Sequence, residues 1–447
     1  MPNVSYILRS FIRDREVYEL NLKQTFSENK VIIFSGLLLY VVVMLIRSWG
    51  NFSQPGLYAE DTAHYFNFYY GNIRSLGDIF QHPNGYYNIY NNLVAFLVAK
   101  ADILIQPLLY QLVSIILCVL TVAAFSLSGL IRSKYILFIS PFFLGLSGFN
   151  HLYYYISLTF QMYVGVLLLL VLLFWQRNSS ASFNIIYFLV ASLLIWSGPY
   201  SVLIVPFCLV FMLFFAGKDL VFFGLLLVAL AYTFSVSDST IMLGNLFHKE
   251  ILLLWGNTLV TQVFFLGLKD SVNLEKLLLI AGTLIPLLIY LRKERFYLKI
   301  AMLFFLIIIS SFAPLFLSKK YLLYQSVKEC HVLIAQFFWV AFLLYSADNL
   351  ILKQRRYQHL LGTGLVLTIA FFIIFHNSQK VDMYRAPILT PISNFLHSVK
   401  EAEQKGLKEK HQFVIISSNG TDNMFSAVAI VGDRSKESKE IGREDIR

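Results

Sequence analysis

The sequence predicts an all-α polytopic membrane protein with about eleven transmembrane helices. Hydrophobic residues make up 57% of the 447-residue chain, and only 14% of the residues are charged. A water-soluble domain of this composition would lack a polar coat, so the composition excludes an ordinary soluble enzyme. The basic residues behind the net charge of +10 fall in short clusters between apolar runs. That distribution is typical of residues that orient a protein in a membrane and does not indicate a nucleic-acid partner.

The basic clusters set the predicted orientation of the spans. The clusters around Lys134, Arg292 and Arg355 are assigned to the cytoplasmic side, because cytoplasmic loops are enriched in Lys and Arg. The N-terminus is then cytoplasmic, and the C-terminus lies in the periplasm or outside the cell. The predicted spans are Val31–Trp49, Pro107–Ile131, Tyr135–Phe149, Tyr154–Trp175, Phe183–Ser197, Ser201–Ala216, Leu220–Val236, Leu277–Leu291, Ile300–Leu317, His331–Ile351 and Leu360–Phe375.

The chain divides into three predicted regions. Residues 1–30 form an amphipathic tail on the cytoplasmic face, and residues 31–376 form the transmembrane domain. Residues 377–447 form a short outer tail that is partly disordered. Within the transmembrane domain, residues 50–106 and 237–276 are two large outer loops, whose apolar runs are interrupted by polar residues in the manner of interfacial helices.

Two of these regions carry more specific predictions. Asn88–Ile105 is predicted to be an interfacial helix in the first loop, because a further span there would move the cluster around Lys134 to the outer side. In the outer tail we predict a helix at Pro391–Lys405 and a short strand at Phe413–Ser417. The three cysteines lie in or beside apolar runs, so neither a disulfide framework nor a zinc site is indicated.

An acidic pair, Glu60 and Asp61, stands just after the first span. His64 follows at helical spacing from both carboxylates, and Tyr65 is next to it. A carboxylate pair beside an imidazole can act as a general base, can bind a divalent cation, or can be a solvated turn after a membrane helix. The residue types alone leave these three alternatives open.

Two further groups of residues are candidates for substrate binding. Asn84 and Tyr86 belong to a turn in the first loop, where the neighbouring tyrosines can stack on sugar rings or form an interfacial aromatic belt. Lys319 and Lys320, with Tyr324 nearby, lie on the outer side, which disfavours basic residues. They can bind a lipid phosphate, ordinary anionic headgroups or the C-terminal tail.

The first loop resembles that of bacterial multi-spanning glycosyltransferases of the GT-C superfold. The similarity lies in Tyr58-Ala59-Glu60-Asp61, in Ser75-Leu76, and in Asn84-Gly85-Tyr86-Tyr87-Asn88-Ile89 leading into an apolar helix. The nearest resemblance is to the glucosyltransferases that modify O-antigen and related surface glycans. It covers residues 31–135 by motif and the rest of the chain by topology. The chain departs from the pattern at Asn91-Asn92, where related chains carry Pro-Arg.

The resemblance implies transfer of a sugar from a polyprenyl-phosphate carrier to a surface glycan or lipid-linked acceptor, with inversion, at the outer face of the bacterial inner membrane. It implies Asp61 as the base and Glu60 as its neighbour, with Lys319 and Lys320 meeting the carrier phosphate. The remaining candidates would contact substrate: His64, Tyr65, Asn84, Tyr86 and Tyr324. The resemblance assigns no definite cofactor, and a divalent cation between the two carboxylates is left open.

Two alternative functions come from other classes. A flippase or exporter of lipid-linked glycans is expected to line a path through the bundle with charged groups, and the predicted spans contain almost none. An O-antigen polymerase usually has its large outer loop late in the chain, whereas here the loop that carries the motif comes first. Both patterns favour the transferase.

Overall fold

The described part of the chain is a bundle of helices with two short pairs of antiparallel strands. The computed structural model describes residues 22–47, 49–57, 66, 75–81, 87–146, 162–173, 180–198, 203–212, 219–235, 249–265, 297–317, 332–352, 356–378, 390–407, 409–416 and 424–431. Strand β1 (Gly56–Leu57) pairs with β2 (Thr390–Pro391), and β3 (Glu409–Ile416) pairs with β4 (Met424–Val431).

The helices of these residues are numbered in chain order. They are α1 (Leu22–Arg47), α2 (Trp49–Ser53), α3 (Ile89–Val98), α4 (Gln106–Leu127), α5 (Lys134–Leu146), α6 (Met162–Leu173), α7 (Ala181–Ile195), α8 (Ile204–Phe211), α9 (Leu220–Ser235), α10 (Lys249–Thr258), α11 (Tyr297–Leu317), α12 (Leu333–Ile351), α13 (Arg356–Ser378) and α14 (Ser393–Gln404). Short 3₁₀ turns cover Leu76–Phe80 and Ile103–Ile105, and a π-helical stretch covers Leu259–Phe264.

Among the described residues, three helical segments are long and apolar enough to cross a membrane. They are Phe26–Ile46, Ile103–Leu127 and Leu333–Ile351. Each exceeds the eighteen or so apolar residues that the hydrocarbon core of a bilayer requires. Shorter apolar helices, such as Lys134–Leu144 and Tyr163–Leu173, pack against them. The chain is therefore a membrane protein by length and composition of its helices, and the count of about eleven spans stays a prediction.

The polar residues of helix α4 face the protein, and its exposed residues are apolar. The buried face includes Gln111, Ser114 and Thr121, while Leu112, Ile116 and Leu120 are exposed at a spacing of four residues. A helix facing water shows the opposite pattern, because its polar side chains are hydrated. Helices in lipid bury their polar groups against neighbouring helices, where these groups find hydrogen-bond partners. The polarity of α4 therefore fits a lipid environment.

Helix α12 is the centre of the bundle. Almost all of its residues are buried, and it contacts α5, α6, α11 and α13 as well as the π-helical stretch. Its side chains also satisfy backbone groups of its neighbours. Trp339 Nε1 donates to the carbonyl of Phe264 at 3.2 Å, and Gln336 Nε2 donates to that of Gln262 at 2.6 Å. These bonds satisfy two carbonyls of the π-helical stretch, which continues directly from α10.

The contact between α1 and α5 depends on one glycine and one proline. Gly36 lies so close to α5 that a Cβ atom there would be 2.7 Å from the carbonyl oxygen of Phe138. Pro141 lies inside α5 and has no N–H for the carbonyl of Leu137. The hydroxyl of Ser140 donates to that carbonyl at 3.2 Å. The helix therefore continues through the proline while α1 packs tightly against it.

Every predicted span with described residues contains a helix, and the predicted interfacial segment Asn88–Ile105 contains α3 and a 3₁₀ turn. Residues 22–30, predicted as part of the cytoplasmic tail, form the first turns of α1. The predicted tail helix is confirmed as α14, and the predicted strand lies at the end of β3. Strand β4 is not among the predicted elements. The predicted span Leu277–Leu291 lies outside the described residues.

Candidate functional site

The residues predicted to carry the chemistry lie outside the described part of the chain. This holds for Glu60, Asp61, His64, Tyr65, Asn84, Tyr86, Lys319, Lys320 and Tyr324. The structure describes the elements that flank the first-loop candidates in the chain, and the tail elements that pack against these elements. We call this frame the loop end of the bundle: β1, the turn Leu76–Phe80, α3, the start of α4, and the tail elements β2 and α14.

The segment that contains the acidic pair is anchored on both sides. Leu57 precedes it and Phe66 follows it, and each side chain is only 1% exposed. Both belong to one apolar cluster with α3, the start of α4 and α14. Glu60 and Asp61 are the third and fourth residues after Leu57 in the chain. The two described residues that flank the acidic segment, Leu57 and Phe66, therefore both lie at the loop end.

Buried amide side chains hold the backbone of the first loop. Asn92 on α3 donates through Nδ2 to the carbonyls of Ile79 and Gln81, both at 2.8 Å. Gln111 on α4 donates through Nε2 to the carbonyl of Gly56 at 3.2 Å. The interior of a membrane protein offers little water, so a loop carbonyl there needs a protein donor. Each amide thus ties a stretch of irregular loop to a helix.

The position where the sequence departs from the GT-C pattern has a structural role here. Asn91 and Asn92 are both fully buried, and the backbone N–H of Asn91 is bound by the side chain of Asn88, which caps α3. Asn92 donates its amide to the loop. Neither residue carries the charge that an arginine would bring to an anion.

The frame contains buried amide oxygens that accept no hydrogen bond from the described residues. Asn92 Oδ1 and Gln111 Oε1 are buried and have no hydrogen-bond partner among the described residues. A buried amide oxygen accepts from an N–H or O–H group, such as a hydroxyl or an enclosed water. Spacing alone did not identify these two residues as part of the site. The signal that could have found them is an amide side chain within an otherwise apolar run.

The start of α3 is fixed against the ends of two other helices. The backbone N–H of Ile89 donates to the carbonyl of Trp196 at 3.0 Å, just beyond α7. The rings of Tyr87 and Trp196 pack with centroids 5.0 Å apart, and Tyr232 on α9 lies 5.7 Å from Trp196. Tyr232 also donates its hydroxyl to the carbonyl of Tyr87 at 3.2 Å. Tyr87 therefore anchors the loop, and its ring is not a free stacking surface.

Residues 249–265, the described part of the predicted second outer loop, pack against α11 and α12. Trp255 on α10 donates through Nε1 to Ser311 Oγ at 3.0 Å and lies edge-on to Phe312. The π-helical stretch that follows receives the two bonds from α12 described above. These contacts lie near the end of α11 and the start of α12, the two helices that border Lys319, Lys320 and Tyr324 in the chain.

Asp102 and Lys400 form an ion pair of 2.5 Å at the surface of the loop end. The hydrogen bond from the Lys400 ammonium, together with the backbone N–H of Leu104, holds the pKa of the Asp102 carboxyl below its ordinary value. Asp102 also caps the turn Ile103–Ile105. Both roles are structural, since the carboxylate is occupied by partners of its own chain. Among the described residues, no group of three or more His, Cys, Asp or Glu side chains could hold a metal ion.

Nothing matches this chain in comparisons with protein-family models, with curated proteins and with solved structures. The resemblance to GT-C glycosyltransferases therefore rests on the residues of the first loop. The described geometry adds packed elements on both sides of the segment between Leu57 and Phe66, together with buried amide side chains on α3 and α4.

Proposed function

We propose that this chain transfers a sugar from a polyprenyl-phosphate carrier to a surface glycan or lipid-linked acceptor at the outer face of the bacterial inner membrane. Asp61 acts as the base that takes the proton of the acceptor hydroxyl. Glu60 positions that hydroxyl or shares a divalent cation with Asp61. Lys319 and Lys320 stabilise the negative charge that develops on the departing carrier phosphate.

One observation carries this proposal beyond the sequence motif. The acidic segment begins and ends at residues that are buried in a single cluster, Leu57 and Phe66. A turn that merely covers a helix end does not need two buried anchors. A base, in contrast, must be held within hydrogen-bond reach of the proton it removes. The anchoring supports a positioned role for Glu60 and Asp61.

The chemistry of the chain supports a lipid-linked donor over a soluble one. The phosphate leaving group stays on the lipid at headgroup level, where cations such as Lys319 and Lys320 can meet it. His64, Tyr65, Asn84, Tyr86 and Tyr324 are assigned to substrate contacts in this proposal.

The substitution Asp61→Asn tests the proposal directly. The amide keeps the size and the hydrogen-bonding shape of the carboxyl, but it does not accept the proton. Turnover with a polyprenyl-phosphate sugar is expected to fall by a factor on the order of 10² to 10⁴. Donor binding and the amount of folded protein should stay close to the wild-type values. Near-normal transfer by purified Asp61→Asn protein would contradict the assignment.

The variant Glu60→Gln separates the two roles of the neighbouring carboxylate. If Glu60 only positions the acceptor, its loss costs less turnover than the loss of Asp61. Equal losses in the two variants, reversed in part by added divalent cation, would indicate a shared metal ion. Glycan composition of cells that carry each variant gives a second readout of the same comparison.

A further inference from the structure

We propose that the C-terminal segment 390–407 is a clamp that positions the acidic segment of the first loop. Phe395 and Lys400 are its positioning residues, and their described partners are Phe66 and Asp102. The catalytic meaning of the clamp rests on the proposed function, whereas its structural part does not. Four observations at the loop end lead to this inference.

The first observation is a backbone pairing between the loop and the tail. Strands β1 and β2 are antiparallel, with Gly56 opposite Pro391 and Leu57 opposite Thr390. Leu57 is the residue from which the acidic segment departs. The pairing thus fixes the backbone at the start of that segment to a part of the chain that lies beyond α13.

The second observation concerns the end of the acidic segment. Phe66 is 1% exposed and packs edge-to-face with Phe395 of α14, with ring centroids 6.4 Å apart. Aromatic pairs in this geometry gain attraction beyond the burial of their surface. The same tail helix therefore holds the residue that closes the acidic segment.

The third observation is the amphipathic character of α14. Phe395, Leu396, Val399 and Ala402 are buried at helical spacing, and residues between them such as His397 are exposed. The buried face meets Leu57, Phe66, α3 and the turn Ile103–Ile105 in one cluster. The first loop and the start of α4 thus provide the apolar surface against which this short helix is stable.

The fourth observation is the ion pair between Lys400 and Asp102, which are 298 positions apart in the chain. It joins α14 to Asp102, the residue that caps the turn Ile103–Ile105. All four contacts join the beginning of the transmembrane domain to a segment that follows its last described helix.

Hydrogen exchange of the full-length protein in lipid nanodiscs tests the structural part. Phe395→Ala removes the ring that packs on Phe66, and exchange in peptides covering residues 55–66 should speed up on the order of 10²-fold. His397→Ala, on the exposed face of the same helix, should leave that exchange unchanged. Peptides from α12 should exchange at the wild-type rate in both variants. Unchanged exchange of residues 55–66 in Phe395→Ala would overturn the clamp.

Phe395→Leu provides a second variant in case the alanine protein does not fold. It keeps an apolar side chain, so its exchange should lie between that of wild type and that of Phe395→Ala. A leucine variant that exchanges faster throughout the bundle, with no preference for residues 55–66, would also overturn the proposal.

Transfer kinetics test the positioning part. A displaced base lowers kcat, whereas donor binding at Lys319 and Lys320 is left alone, so Phe395→Leu should lower kcat more than it raises KM for the lipid donor. If exchange speeds up while kcat stays normal, the positioning role is wrong although the contact is real. If Asp61→Asn remains active, the proposed function fails, and the exchange result still decides whether the clamp exists.

Discussion

The chain segments at the two ends of α4 are held by hydrogen bonds of opposite direction. Side chains donate to the backbone at one end and accept from it at the other. At the loop end, where α4 begins, the amides of Asn92 and Gln111 donate to loop carbonyls. About 33 Å away, given 22 residues at 1.5 Å each, the carboxylate of Asp348 accepts from the backbone N–H groups of Arg132 and Ser133 at 3.0 and 2.8 Å. We call this second region the turn end.

The difference follows from what each end must satisfy. A loop leaves carbonyls that need donors, and the side-chain N–H groups of Asn92 and Gln111 supply them. The turn end leads into the N-terminus of α5, where free N–H groups and the helix dipole favour a negative charge. Asp348, only 1% exposed, fulfils that need. A buried acid in this bundle is therefore not by itself evidence of catalysis, and the acidic pair of the first loop has to be tested by its chemistry.

Accessibility from the two sides of the membrane is the largest effect that the comparison predicts. Cysteines at positions 60, 248 and 397 should react with an impermeant reagent added outside, because the basic clusters assign these positions to the outer face. Cysteines at 134, 292 and 355 should react only after the membrane is opened. Labelling from outside at 355 but not at 60 would reverse the topology and remove the outer-face site.

Loss of the carboxylate at the turn end is the next largest effect. Asp348→Ala leaves two backbone N–H groups without their acceptors and should lower the free energy of unfolding by about 2–4 kcal/mol. Asp348→Asn keeps one acceptor oxygen and should lose about half as much. Denaturant titration in mixed micelles measures both values. The Asn variant should also keep sugar transfer, in contrast to Asp61→Asn. A folded but inactive Asp348→Asn protein would contradict a purely structural role for Asp348.

Loss of an amide at the loop end should have a smaller and more local effect. Asn92→Ala leaves the carbonyls of Ile79 and Gln81 without a donor, which should cost about 1–3 kcal/mol. Hydrogen exchange in peptides covering residues 75–81 should speed up accordingly. Leu97→Ala, on the exposed side of the same helix, serves as the control and should change stability by less than about 0.5 kcal/mol. Equal exchange in the two variants would show that the amide does not hold the loop.

The smallest effect concerns pH and the ion pair of the clamp. The pKa of Asp102 is lowered in the folded protein, so the pair stabilises the docked tail above the ordinary pKa of the carboxyl, and this contribution disappears as the pH falls through the lowered value. Lys400→Gln should weaken that pH dependence in the exchange of residues 55–66, because the Leu104 N–H still lowers the pKa of Asp102. Asp102→Asn keeps the capping bond from Leu104 and should abolish the dependence. A pH dependence that persists in both variants would assign it to another group.

Much of the helical framework could be predicted from the sequence, since each span is a local property of one apolar run. The bounds of α9 and α12 agree with prediction to within a few residues. Strand β4 could not be predicted in this way, because it is stabilised by pairing with β3 and not by its own composition. The roles of Asn92 and Gln111 were also beyond the sequence, because their partners lie in other elements.

Hydropathy and the clusters of basic residues are properties of neighbouring residues, so they suffice to predict a helical membrane protein with an acidic segment after its first span. The contacts that hold the two ends of that segment come from tertiary packing. Leu57 pairs with Thr390, and Phe66 packs against Phe395. The two partners of each contact are separated in the chain by the transmembrane helices, so no local sequence pattern encodes the contact. Tertiary packing also assigned Asp348 to a helix N-terminus and the loop-end amides to carbonyls. Buried polar groups take their roles from whichever partner the fold brings within hydrogen-bond reach.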